Sequence, residues 1–166
     1  MVPFAGWNMP VQYKGITEEH LTVRRACGIF DISHMGQFRV GGPASLDWLN
    51  SLLTNNNTRL GIGQGQYTLL LNESGGVIDD LILYRTGAES WFLVVNASKT
   101  AEDLAWMQTR LLPGVTLSDE SPRYAGMAIQ GPASAAVYQQ VAGAHMELPD
   151  RNGIAEFISL RGGTCV

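Results

Sequence analysis

The segment VIDDLILY (residues 77–84) places two adjacent carboxylates inside a β-rich apolar run. Side chains of a strand alternate between its faces with a period of two, so Asp79 and Asp80 must point to opposite sides. One face then carries Val77, Asp79, Leu81 and Leu83, and the other Ile78, Asp80, Ile82 and Tyr84. An unpaired buried charge is costly. Two readings therefore stand for the pair: solvated charges beside a turn, or a carboxylate held in place for electrostatic work. His34, in DISHMG, reads either as a base or ligand or as a hydrogen-bonded structural group beside Asp31. Tyr67, Tyr84, Trp91, Ile82 and Met35 offer flat or polarizable apolar surface, which suits a heteroaromatic ligand and equally suits a core.

Other chemistries find little support. The glycines of GIGQGQ (residues 61–66) precede a strand, whereas a dinucleotide fingerprint follows a strand and opens a helix, so they read as a plain turn. Cys27 and Cys165 form no C-x-x-C pair, which indicates neither a structural zinc site nor a disulfide framework and makes a reducing compartment the default. No metal-ligand spacing and no nucleophilic triad is evident.

The elements that must position these residues follow from periodicity. GQYTLLLN (65–72) and VIDDLILYR (77–85) are strands joined by the turn-rich ESGG, and WFLVVN (91–96) follows, which makes an antiparallel meander. A helix is expected over residues 98–112, with Ala101, Leu104, Met107 and Leu111 on its apolar face and Pro113-Gly114 as the stop. VTLSD (115–119) reads as a returning strand. QFRVGGPASLDWLNSLL (37–53) and GMAIQGPASAAVYQQVA (126–142) echo each other: apolar strand, G-P-A-S, then helical periodicity, with Pro43 and Pro132 placed in a first helical turn. The fold class is therefore α+β, antiparallel sheets with helices on one face, built as two ferredoxin-like interleaved lobes. The expected division is residues 1–40 with 122–166, and 41–121.

Composition agrees with a folded domain. Of 166 residues 45% are apolar, enough for a core. The net charge of −4 and the lack of a Lys/Arg run argue against nucleic acid as a ligand. The longest apolar runs fall far short of the roughly 20 residues that cross a bilayer, so no membrane span is expected. Charged residues make up only 16%, against about 25% in typical soluble domains, which suggests that some surface is covered in the intact molecule. FISLRGGTCV (157–166) ends inside a strand-like pattern, and the expectation is a piece of a longer protein.

Several ordered blocks carry a resemblance. FAGWNMPVQY (4–13), RRACGIFDISHMG (24–36), NESGGVIDDLILY (72–84), FLVVNAS (92–98) and IQGP (129–132) together resemble the aminomethyltransferase, or T-protein, family of the glycine cleavage system, over nearly the whole chain. The resemblance implies transfer of an aminomethyl group from the reduced lipoyl arm of a carrier protein, the H-protein, to tetrahydrofolate as co-substrate, releasing ammonia and forming 5,10-methylenetetrahydrofolate. It implies that Asp80 is the catalytic carboxylate, and that Met35, Tyr67, Asp80, Ile82, Tyr84 and Asn96 line the folate pocket, leaving Asp79 structural. The family continues beyond Val166 with further folate-binding groups, so activity of these residues by themselves is in question. The implied location is the cytoplasm in a bacterium or the mitochondrial matrix in a eukaryote. The alternative is a folate-binding module of the same fold used in iron–sulfur cluster maintenance or tRNA modification.

Overall fold

The structure, a computed structural model, describes residues 1–142, 148–155, 157–158 and 164–165. Its chain divides into two compact units: one of residues 1–34, 125–148 and 157–165, the other of residues 35–124 and 149–156 with residue 166. The first dividing point falls at His34, ahead of the expected region near residue 40. The reason is β4 (Gly36–Gly41), a strand interior to the second unit's sheet, with partners on both edges.

In the first unit, β1 (Val2–Phe4) and β2 (Trp7–Met9) form a hairpin whose turn uses Ala5 and Gly6 at positive φ. Helix α1 (Ile16–Arg25) follows; the Glu19 side chain accepts hydrogen bonds from the Tyr13, Lys14 and Gly15 amides, groups that precede the helix. These bonds hold its carboxyl below the usual carboxylate range. β3 (Gly28–Asp31) then pairs antiparallel with β9 (Met127–Gln130), which leads into α4 (Ser134–Ala142).

The second unit holds a five-stranded antiparallel sheet. After β4 come α2 (Ser45–Leu52), β5 (Gly65–Leu71), β6 (Val77–Gly87), β7 (Ser90–Val95), α3 (Thr100–Gln108) and β8 (Thr116–Asp119), and the strand order is β5-β6-β7-β4-β8. One sheet face makes the core: Phe38, Val40, Leu70, Leu81, Leu83, Trp91, Leu93 and Val95 pack with Trp48 and Leu49 of α2 and Met107 of α3. The two buried indoles keep their N–H groups satisfied, Trp48 donating to the Arg110 carbonyl at 2.7 Å and Trp91 to Ser45 Oγ at 3.0 Å.

The two G-P-A-S copies adopt the same form, one in each unit. Gly42 (φ 107°) and Gly131 (φ 121°) turn the chain from β4 into α2 and from β9 into α4, and in both the Ser amide donates to the Gly carbonyl at 3.0 Å. A Cβ on Gly42 would lie 2.0 Å from the Gly114 carbonyl oxygen, and one on Gly131 2.5 Å from that of Ala26, so the turn needs glycine twice over. Both prolines lie in the turn, two residues ahead of the helix and not in its first turn as expected: the helices open at Ser45 and Ser134.

Helix α3 is shorter than the pattern suggests. It ends at Gln108, where the chain tightens into i to i+3 bonds (Arg110 N to Met107 O, 3.2 Å; Leu111 N to Gln108 O, 3.3 Å), leaving Leu111 exposed. Its buried positions are Asp103 and Met107, while Ala101 is exposed. At the C-terminus, Phe157–Ile158 pairs with Thr164–Cys165, and the rest of the expected strand lies outside the described residues. No helix among the described residues is long and apolar enough to cross a membrane.

Candidate functional site

The β5–β6 hairpin decides which aspartate faces where. Asn72 closes its turn: Oδ1 accepts from the Ser74 amide at 3.0 Å and the Gly76 amide at 2.8 Å, and Gly75 takes φ 82°. A register shift between Leu70 and Leu71 passes over Ile78, and from there Asp79 pairs with Leu70 and Asp80 with Leu69. Slipping the register by one residue would exchange the two carboxylates between faces.

The face away from the core is a set of rungs across the sheet. Gly65, Tyr84, Phe92 and Arg39 form one; Tyr67, Ile82, Val94 and Gln37 the next; Leu69 and Asp80 the third. Asn96 follows β7 and Met35 precedes β4 at the same end, directly after and before the paired residues Val95 and Gly36. The structure thus gathers Met35, Tyr67, Asp80, Ile82, Tyr84 and Asn96 at one region of one sheet. Tyr67 is 61% exposed, Asp80 is exposed, and Ile82 and Tyr84 are half-buried. Gly65 lets the Tyr84 ring lie flat over the backbone: a Cβ there would come within 2.3 Å of it. Burial, and then the neighbouring Tyr67, raise the Tyr84 phenol above its usual value.

Asp79, by contrast, is buried at 6% exposure on the core face. That position excludes the solvated-pair reading for this residue. Its Oδ2 accepts from the Asn96 amide at 3.1 Å and its Oδ1 from Asn96 Nδ2 at 2.8 Å; the same Nδ2 lies 3.0 Å from the Asp80 carbonyl and 3.4 Å from Asp80 Oδ1. Asn96 is therefore a clamp that joins the two aspartates. Asp80 forms no ion pair among the described residues.

Sequence reasoning missed Asp103. This residue of α3 is fully buried, and neither carboxyl oxygen receives an N–H or hydroxyl donor from the described residues; the polar group it meets is the Asp79 carboxyl. Burial first, and the Asp79 carboxylate second, push its carboxyl up to about 8. Its position four residues before the buried Met107 was the available signal, since i and i+4 share a helix face.

The other chemistry-bearing residues lie elsewhere. His34 packs edge-on to the Phe4 ring, centroids 5.7 Å apart, in place of the expected hydrogen bond. Asp31 binds Ser33, whose hydroxyl and amide hold its carboxyl below the ordinary value. Cys27 lies two residues past the end of α1. Residues 61–64 do form a turn, closed by the Gln64 amide on the Gly61 carbonyl at 3.1 Å, and residues 62–65 and 150–153 line a cleft of about 490 Å³.

An antiparallel sheet backed by two helices on one face, with Asp80, Tyr67 and Tyr84 on the other, defines an α+β unit. The chain belongs to the GCVT N-terminal domain family, which matches residues 1–163, and so to the aminomethyltransferase family of the glycine cleavage system. It is 50% identical to an aminomethyltransferase of Thermus thermophilus over 141 residues, 84% of this chain and 40% of that protein. It is 46% identical to the aminomethyltransferase of Deinococcus deserti over 140 residues, 84% of this chain and 39% of that protein. The fold matches the crystal structure of glycine cleavage system aminomethyltransferase T from Bartonella henselae with a TM-score of 0.84 and 34% identity, covering 96% of this chain and 44% of that one. The chain thus spans about two fifths of the length of these relatives. Their names do not favour iron–sulfur maintenance or tRNA modification.

Proposed function

We propose that the protein transfers an aminomethyl group from the reduced lipoyl arm of a carrier protein, the H-protein of the glycine cleavage system, to tetrahydrofolate, with release of ammonia and formation of 5,10-methylenetetrahydrofolate. Asp80 is the catalytic carboxylate in this reading. The observation that carries it is the split of the aspartate pair: Asp79 is sealed in the core, while Asp80 stays exposed, without an ion-pair partner, on the face that holds Tyr67, Ile82 and Tyr84.

The residues suit a pterin. Tyr67 and Tyr84 supply aromatic surface, Ile82 an apolar wall, and Met35 a polarizable side chain near the carboxylate. In the transfer the aminomethyl carbon exchanges two bonds: the bond to the lipoyl sulfur and the bond to the amine, which departs as ammonia, are replaced by bonds to two folate nitrogens, whose protons end on the lipoyl thiol and the ammonia. Asp80 orients the attacking nitrogen and stabilises the positive charge that develops at carbon as ammonia departs. A carboxylate preorganised for such charge, with its backbone and side chain held by Asn96, acts without reorganising at the moment of reaction.

The test is methylenetetrahydrofolate formation by the full-length protein from aminomethylated carrier protein. The wild type is expected to form it in proportion to carrier and tetrahydrofolate. Absence of product, or an Asp80→Asn variant that turns over like the wild type, overturns the assignment.

A further inference from the structure

Asp103 is the most completely buried acid among the described residues, neither of its oxygens receives an N–H or hydroxyl donor from them, and the polar group it meets is the Asp79 carboxyl. It sits on the inward face of α3, and α3 begins four residues after Asn96, the residue that clamps Asp79 to Asp80. The connection is short and ordered: the Lys99 amide donates to the Asn96 carbonyl at 2.9 Å, and the Asp103 amide to the Lys99 carbonyl at 2.8 Å. A carboxyl with no donor to satisfy it and an anion beside it is stable in a core only while it keeps its own proton. A protonated carboxyl is also a donor, and the neighbouring Asp79 is an acceptor with lone pairs left over from its two bonds to Asn96.

Resting on the functional reading above, we propose that Asp103 and Asp79 form a buried pair sharing one proton, which fixes Asn96 and through it positions the catalytic Asp80. Asp103 and Asp79 are positioning residues; neither lies on the open face. Two carboxyls that meet in a core cannot both ionise cheaply, so the pair holds one charge, on Asp79, where the Asn96 amide and side chain already stabilise it. The other charged groups acting on Asp103 are Glu102, which works with Asp79 to keep it protonated, and Lys99, which opposes them and is itself paired to Glu102 at 2.6 Å. When pH rises far enough to remove the shared proton, two anions face each other in the core, Asp79 is pushed from Asn96, and Asp80 loses its fixed orientation. Activity then has an alkaline limit set by a residue that never meets the substrate.

The test is the pH dependence of kcat for methylenetetrahydrofolate formation in the full-length protein, for wild type, Asp103→Asn and Asp103→Leu. The wild-type kcat is expected to fall above about pH 8, and Asp103→Asn, which keeps a donor but cannot ionise, to lose that fall or move it by at least about one pH unit. Asp103→Leu, with no donor, is expected to lower kcat about tenfold while the tetrahydrofolate KM stays within about twofold. An Asp103→Asn profile identical to that of the wild type overturns the proposal. Because a variant can fail to fold, a second measurement uses the wild type: carbon-13 NMR of labelled aspartate carboxyls, where one resonance titrating near pH 8 supports the pair, and all of them titrating below about pH 5 overturns it. A wild type with no transferase activity but with the shifted resonance would sink the functional reading and leave the buried pair standing.

Discussion

On the helix-covered face of the second unit's sheet, Leu81, Leu83, Leu93 and Asp79 are closed from solvent, whereas on the opposite face of the same strands Tyr67, Leu69 and Asp80 are exposed. The strands are shared, so the difference comes from what each face meets. One receives α2 and α3 and becomes a core; the other is open at Tyr67, Leu69 and Asp80, while Phe92, under Tyr124, and Gln37 are buried further across it. Asp79 is tolerated in the first environment because Asn96 donates to it twice, while Asp80 needs no compensation in the second. One strand, read in steps of two, thus serves stability on one side and, under the proposed function, chemistry on the other.

Adjacent residues on β6 test this most directly. Leu83→Ala removes a fully buried side chain and is expected to destabilise the protein by about 2–5 kcal/mol. Ile82→Ala, one residue away on the open face, is expected to cost about 1 kcal/mol or less. Urea unfolding midpoints at constant m-value separate the two; equal losses would mean that the open face is a core after all.

Asp80→Asn keeps shape and removes charge. The expected result is a fall in turnover of about 10² or more, or about 2.7 kcal/mol of transition-state stabilisation, with tetrahydrofolate affinity little changed. If Asp80 merely holds the pterin, affinity falls instead, and isothermal titration beside the rate assay distinguishes these outcomes. Stability should move by no more than about 0.5 kcal/mol, since the side chain is exposed.

The buried acid makes stability depend on pH. Folded protein keeps the Asp103 proton up to about pH 8, while the unfolded chain releases it near the ordinary value of 3.8, so the folded state binds more protons throughout that window. This contribution is fully present below about pH 4 and is lost as pH rises through 8. Between pH 6 and 8 the wild type should lose on the order of 2 kcal/mol relative to Asp103→Asn. Thermal melts of the two proteins across that range that run parallel would show that Asp103 does not carry the shift.

Much of this arrangement is legible in the sequence. The alternation of VIDDLILY sorts Asp79 from Asp80, Asn72 and the ESGG turn mark the hairpin that sets their register, and the repeated G-P-A-S marks both strand-to-helix turns. What stays hidden has physical reasons. Helix α1 buries no residue, so it shows no apolar stripe to read, and its start depends on Glu19 bonding to amides ahead of it. Two strands of three residues, β1 and β2, are too short for a period-two pattern to stand out. Asp103 breaks the rule that charges face water, and apolar periodicity assigns the inward face of α3 to Ala101, Leu104, Met107 and Leu111, of which Leu104 and Met107 do pack inward while Ala101 and Leu111 are exposed. The Asn96 clamp is a tertiary fact: nothing in the spacing of residues 79, 80 and 96 announces that one amide meets both aspartates.

The smallest effect is expected at Tyr67, and it sharpens the comparison from the open side. Its ring is 61% exposed and pairs across the sheet with Ile82, one rung from Asp80, so truncation leaves no core cavity. Tyr67→Ala should therefore leave the unfolding midpoint within about 0.5 kcal/mol of the wild type. If the ring stacks on the pterin, the same change removes an aromatic contact of about 0.5–1.5 kcal/mol, and tetrahydrofolate affinity should fall by up to about tenfold. Tyr67→Phe keeps the stacking surface and loses only the hydroxyl, so it should retain most of that affinity. Calorimetric titration of the three proteins decides: a Tyr67→Ala variant that binds normally but unfolds easily would assign the residue to packing and remove it from the ligand face.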